Sequence, residues 1–262
     1  MGFFRRKRQQ PPTPPAAPDP AAAVPADLDD LDERGWDAVT QAVSQHYPGA
    51  REFHVAYSPG LHFGSALQGC SALPGPDHWF YVTYGLTELW GKDSDDPTTS
   101  GFGYELTMRV RRSPTDETPP EWPYRALVVL AQYVRSGPQE LWLGDRIRLA
   151  NGVTDDPDGA LTTLAVRLDP VVEPIETPNG RVAFWQAVAL TDTDVEEAKR
   201  STTDEVLERL ATDNPLLITD PERRRVVRRT ASVEPRRARS LVVHDGEGEF
   251  AEHRLGPGEP GA

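Results

Sequence analysis

Residues 79–84 read Trp-Phe-Tyr-Val-Thr-Tyr, and both alternating faces of this run are apolar or aromatic. Trp79 and Tyr81 point one way; Phe80, Val82 and Tyr84 point the other. A strand of this kind leaves no face for water, so it predicts a central strand covered on both sides. It therefore demands a layered fold. The stretch from Tyr104 to Arg112 behaves differently: Tyr104, Leu106, Met108 and Val110 alternate with Glu105, Thr107, Arg109 and Arg111. That pattern predicts a half-buried strand with a polar outer face. Gly101 and Gly103, just before it, suit a strand entering beneath a close neighbour.

The remaining elements supply the layers. From Pro123 to Arg135 only Arg125, Gln132 and Arg135 carry charged or amide side chains, and they fall on one narrow stripe. This predicts a helix buried over most of its circumference, started by Pro123 and stopped at Gly137-Pro138. Leu28, Leu31, Trp36, Val39 and Val43 mark an earlier helix capped by Asp27, weakened in its middle by Gly35. Residues 52–57, 161–170 and 180–191 read as strands. Residues 194–211 read as one helix or two, with Asp194…Glu197 and Thr202…Glu205 as capping boxes. The segments 215–220 and 223–229 read as short edge elements. Strands and helices mix without a regular repeat, which predicts an α+β domain: a mixed β-sheet flanked by helices.

That domain is expected over residues 28–229. Residues 1–26 form a basic start and a Pro/Ala-rich linker, and residues 230–262 a Gly/Glu/Pro-rich tail; both are expected to be disordered. The basic start has no apolar run behind it, so it does not read as a secretory signal, and no apolar window is long enough to span a membrane. A cytoplasmic protein is expected. Cys70 is the single cysteine, which excludes an intramolecular disulfide and a Cys-rich zinc site.

Charge is uneven. Residues 11–221 hold 15 Lys+Arg against 34 Asp+Glu, a balance of −19, while eight arginines cluster within 223–239. An acidic body repels nucleic acid and steers cationic partners toward itself, an effect seen chiefly in association rate; the same acidity also keeps a chain soluble.

A search for catalytic patterns finds little. There is no Gly-x-Ser-x-Gly elbow, no His-x-x-x-His pair and no phosphate loop, since Gly101-x-Gly103 lacks the third glycine and the lysine. Cys70 sits in a turn-rich stretch and reads as a small semi-buried thiol. Asp93–Pro97 and Thr154–Gly159 are dense in acidic oxygens but lack calcium-loop spacing, and read as solvated turns. Neither a cofactor nor a metal is expected.

The blocks PDHWFYVTYGLTELWG, SGFGYELTMRV and PPEWPYRALVVLAQYV, with GWDAVTQAVSQHYPG, LGDRI, EPIETPNGRVAFWQAVAL and LLITDPERRRVV, resemble in wording and order the Suppressor of fused family. The likeness runs over roughly residues 34–227 and is to the N-terminal domain of the animal proteins and to bacterial single-domain relatives. The resemblance implies a protein-binding module rather than an enzyme. In animals the family holds a peptide as an added strand between two domains. Bacterial relatives are proposed, from genome context, to be immunity proteins that neutralise toxins. Here no second domain is expected after Val227, so the two-domain clamp is not.

The resemblance also implies a binding surface. Trp90 stands where the animal proteins place an aromatic residue against the peptide, and Asp95 or Asp96 is the approximate counterpart of their acid. With Phe102, Tyr104 and Glu105 on the following strand, these form the candidate partner-binding set: an aromatic anchor ringed by charge, beside a sheet edge. Trp90 reads equally well as a side chain buried at a strand's end. The expected partner is a protein, a basic toxin being the leading candidate. Two alternatives remain: an enzyme working through carboxylates, and a membrane adaptor whose residues 3–8 associate weakly with anionic lipid.

Overall fold

The computed structural model describes residues 33–57, 66–136, 140–223, 240–243 and 250–253, the last two as backbone only. The basic residues 3–8, the Pro/Ala linker, Asp27, Leu28, Leu31, Gly137-Pro138 and residues 224–229 of the edge element expected at 223–229 lie outside them. In chain order the elements are α1 (Arg34–Ser44), β1 (Phe53–Ala56), β2 (Gly69–Pro74), β3 (His78–Tyr84), β4 (Thr99–Arg111), α2 (Trp122–Ser136), β5 (Arg146–Leu149), β6 (Leu161–Leu168), β7 (Ile175–Thr177), β8 (Gly180–Thr191), α3 (Asp192–Arg200), α4 (Thr203–Ala211), β9 (Ser240–Val243) and β10 (Phe250–His253).

The strands form one mixed sheet in the order β1-β2-β3-β4-β8-β6-β5-β9-β10, with β7 paired to β8. Most neighbours are antiparallel; β4 with β8 and β5 with β9 run parallel. The α+β reading holds. β9 and β10 fall inside the stretch read as a tail; residues 230–239, 244–249 and 254–262 of it lie outside the described residues.

β3 is buried at every position, as its two-sided pattern requires. On one face, Trp79 and Tyr81 of β3 and Leu106 and Met108 of β4 pack under α2. Fully buried Leu127 and Leu130 carry the helix side of that layer, each contributing about 2 kcal/mol relative to exposure. On the other face, Phe80, Val82 and Tyr84 meet Val39, Val43 and Tyr47 at α1, while Val188 and Leu190 of β8 meet Val195 and Leu207 of α3 and α4.

Four local expectations are corrected. The stretch around Cys70 is not a turn but β2, held between β1 and β3, with Cys70 fully buried and its thiol pushed up by that burial. Gly35 is not a weak point in mid-helix. It is the second residue of α1, and a Cβ there would lie 2.5 Å from Glu88 O, so its absence lets α1 dock on the chain after β3. The capping box of α3 is Thr191 with Asp194, not Asp194 with Glu197, whereas Thr202 caps α4 by accepting from Glu205 N–H. Of the edge element expected at 215–220, the structure forms a single bridge, Thr219 to Val110.

The polar face of β4 is the largest correction. Glu105, Thr107 and Arg109 are all fully buried. Arg109 forks onto Asp169 (Nη1 to Oδ2 2.7 Å, Nη2 to Oδ1 2.9 Å), Thr107 Oγ1 donates to Asp169 Oδ2 at 2.6 Å, and the guanidinium stacks over Phe80. Burial alone would raise the Asp169 carboxyl, but Arg109 and Thr107 hold it below the ordinary carboxylate range. From Glu105 to Arg109 the second side of β4 is an interior face, where Asp169 answers the charge of Arg109 and hydrogen-bond donors answer Glu105.

Candidate functional site

The chain between β3 and β4 builds the most distinctive open surface. β3 ends where Gly85 N–H (2.9 Å) and Thr87 N–H (2.9 Å) both donate to Glu105 Oε1, while the Thr87 and Thr83 hydroxyls donate to the same carboxylate at 2.7 and 2.6 Å. Glu105 thus ties down the segment 85–87 from inside the fold. Burial raises its pKa, although all four donors favour the ionised form.

A second carboxylate organises the loop that follows. Glu88 accepts from Asp93 N–H at 2.8 Å, Ser94 N–H at 2.5 Å and Gly101 N–H at 3.1 Å, and from Lys92 Nζ at 2.7 Å. Burial would raise this carboxyl; the Lys92 ammonium and the three backbone donors overcome it and hold it at about 2. The loop is therefore closed on itself, and β4 can start directly beneath residues 86–87. Gly101 makes that approach with φ of 53°, and a Cβ on it would lie 2.6 Å from Leu86 O. Phe102 N–H then donates to Leu86 O at 3.0 Å.

Between these two clamps lies a groove of about 450 Å³, lined by residues 85–91, Trp90 among them, and by Phe102, Gln68 and Arg135. Trp90 rests on Trp36, whose ring is 5.7 Å away and itself stacked on Tyr84 at 4.3 Å. Its indole N–H donates to Gln68 Oε1. Even so, Trp90 is 36% exposed, and Phe102 is 45% exposed. Arg135 from α2 closes the far wall: it donates to the carbonyls of Ala66 and Gly85 and lies 5.7 Å from the Phe102 ring. Arg135 keeps its positive charge while donating to those carbonyls, Glu88 is paired with Lys92, and Asp93 adds a negative charge, so the rim is of mixed charge. The result is an apolar, aromatic floor at a chain edge with a rim of mixed charge, suited to an extended segment carrying an apolar side chain.

Of the six residues expected from sequence, the structure brings Trp90 and Phe102 into this groove. Asp95 and Asp96 are exposed on the loop but do not line it; Asp93 does. Asp96 accepts from Thr98 N–H and Oγ1 at 2.8 and 2.7 Å, bonds that lower its carboxyl to about 2. Tyr104 and Glu105 are buried and present no surface; Tyr104 stacks on Trp185 with ring centroids 3.7 Å apart. Sequence reasoning missed Glu88, Gln68 and Arg135. The Glu88/Lys92 spacing of four was the one available signal. It also missed a second exposed apolar patch, Trp142 (60%), Leu143 (44%) and Leu168 (49%), where Gly144 N–H donates to Val166 O and sets that turn beside the end of β6.

Among the described residues no cluster of three or more His, Cys, Asp or Glu could hold a metal ion, and no helix is long and apolar enough to cross a membrane.

The model of the Suppressor of fused protein (SUFU) family matches residues 64–224. The human Suppressor of fused homolog is 32% identical over 159 residues, which are 56% of this chain and 32% of that protein, and the mouse homolog gives the same figures. The chain thus spans about a third of the length of these curated relatives. Among solved structures, the Sufu-Fu complex gives a TM-score of 0.66 at 26% identity, covering 74% of this chain and 92% of that one. Drosophila Suppressor of Fused gives the same score and identity over 51% of its chain. A putative SUFU homolog from Neisseria gonorrhoeae, at 15% identity and a TM-score of 0.52 over 76% of this chain and 99% of that one, shares the fold.

Proposed function

The chain belongs to the Suppressor of fused family, and on that footing we propose that it is a protein-binding module without catalytic activity, whose groove beside Trp90 and Phe102 takes a segment of a partner protein. One observation carries the reading: two large aromatic side chains stay exposed at a chain edge that two carboxylate clamps hold in shape. Aromatic anchors of this kind dominate interface energies, and a held loop loses little entropy on binding. A crystallised relative in complex, Sufu with Fu, supports a protein as the ligand class.

Chemistry at the groove argues against turnover. Glu88 is ionised at neutral pH and already accepts from four donors, so it is neither a general acid nor a free base. Cys70 is buried with a raised pKa and cannot act as a nucleophile.

The partner in this reading is a basic protein, a toxin neutralised in the cytoplasm by occlusion, steered by the −19 balance of residues 11–221. The test is capture from the native host with the wild-type chain and with a Trp90→Ala/Phe102→Ala variant, followed by co-expression. The expected partner is basic, toxic alone, and neutralised by the wild type only. A partner harmless on its own removes the toxin reading and leaves the binding one. A purified chain that turns over a small molecule, and loses this on one carboxylate substitution, removes both.

A further inference from the structure

The far end of β4 carries a second cleft. The parallel strands β4 and β8 separate beyond Thr107 and Gln186, and residues 216–219 enter the gap. Thr219 N–H donates to Arg109 O and Arg111 N–H to Thr219 O, both at 2.8 Å, and Gln186 Nε2 donates to Leu216 O at 2.8 Å. To make this entry the buried Leu217 adopts a φ of 49°, a region that branched side chains rarely occupy. Above this plug is a cleft of about 310 Å³, with apolar walls from Leu161, Val188, Leu210 and Ile218.

Three arginines, Arg111, Arg209 and Arg223, also line the cleft. The Nη2 atoms of Arg209 and Arg223 converge on one oxygen, Asp194 Oδ1, at 3.2 and 2.8 Å. Asp194 Oδ2 is taken by Thr191 N–H and Oγ1, so one buried carboxylate faces two guanidinium groups. Glu197 accepts from Arg209 Nε at 2.8 Å, and among the described residues the ion-pair contact of Arg111 is with exposed Asp77 at 3.5 Å. Asp213 and Asp220 line the cleft as well, and Asp220 Oδ1 already accepts from Glu222 N–H. With Asp194 and Glu197 behind them and Asp213 and Asp220 beside them, the three arginines carry no excess of positive charge; what they offer an anion is the guanidinium N–H groups that none of these bonds uses. Guanidinium forks match the planar and trigonal oxygens of carboxylate and phosphate, and a cleft this size suits a small ligand.

We propose that this cleft binds a small organic oxyanion, a carboxylate or phosphate borne on an apolar body. The anion bridges Arg209 and Arg223, and the body rests on Leu161, Val188, Leu210 and Ile218. The site is independent of the aromatic groove. It also gives Arg223, the first of the clustered arginines, a specific task.

The experiment titrates the full chain at low salt with phenyl phosphate, benzoate, inorganic phosphate and benzylamine, reading the backbone amide shifts of Ala189, Leu217 and Thr219. Phenyl phosphate and benzoate are expected to move these amides saturably, inorganic phosphate more weakly, benzylamine not at all. Arg223→Gln, which leaves Arg209 on Asp194, is expected to weaken phenyl phosphate by about tenfold. Arg111→Gln, which touches neither Asp194 nor its partners, is expected to weaken it less and serves if the first variant misfolds. No saturable shift with either organic anion, equal affinity in both variants, or benzylamine binding as tightly as phenyl phosphate would overturn the proposal.

Discussion

Glu88 and Glu105 sit on opposite sides of the same backbone and do the same work with opposite electrostatics. Glu105 gathers Gly85 and Thr87 N–H from inside the sheet; Glu88 gathers Asp93, Ser94 and Gly101 N–H from outside it. The inner carboxyl has no cation among its hydrogen-bond donors, and burial raises its pKa; the outer one has Lys92 and is held at about 2. Hydrogen-bond donors alone do not fix an acid's charge. Access to water and a paired ammonium decide it. The groove floor thus rests on a buried, uncompensated acid, and its rim on a stable ion pair.

The comparison gains a third member in Asp169, equally buried but paired with Arg109, and truncating it is expected to have the largest effect. Asp169→Ala strands a buried guanidinium and should cost about 4 kcal/mol in denaturant unfolding. Glu105→Ala removes the acceptor of four donors but strands no charge, and should cost about 3 kcal/mol by the same measurement. A larger loss for Glu105→Ala than for Asp169→Ala would break the ranking. Glu88→Ala should cost about 1 kcal/mol or less, because its donors can turn to water. Its signature is local: the Asp93, Ser94 and Gly101 amides should exchange faster with solvent, while those of β3 and β8 do not change.

The smallest effect lies in pH. The folded-state pKa of Glu88 is depressed from the ordinary 4.5, so its contribution is present above that value and is lost as pH falls toward 2. Glu105 is raised from 4.5, so its contribution is fully present below that value and is lost as pH rises through its folded pKa. Glu88→Gln should therefore flatten the acid limb of the stability profile and Glu105→Gln the opposite limb. Variants that flatten the same limb would contradict the assignment.

Much of the fold was legible because burial leaves a local trace. The limits of β8 follow from GRVAFWQAVALT, and the two-sided run at 79–84 gave the place of β3, which begins one residue earlier at His78, and the need for layers. The polar side of β4 misled because Arg109 is satisfied by Asp169, 60 residues away, and nothing near Arg109 in sequence announces that pairing. β2 was hidden by Gly69, Ser71 and Pro74, which look like turn residues until β1 and β3 enclose them. At the groove, aromatic identity pointed to Trp90 and Phe102. Glu88 is one of 41 acidic residues, and only three convergent N–H groups set it apart. Glu105 was placed on the surface by the same misreading that exposed the polar side of β4; Tyr104, on the apolar side of that strand, is instead covered by stacking on Trp185.

The central claim is that partner binding happens on the clamped aromatic groove. Hydrogen exchange of the full chain with and without its captured partner tests it most directly. Protection is expected at residues 86–94 and 100–103 and is expected to vanish with Trp90→Ala/Phe102→Ala. Protection confined to the exposed patch of Trp142, Leu143 and Leu168, with the groove amides unchanged, would contradict the claim.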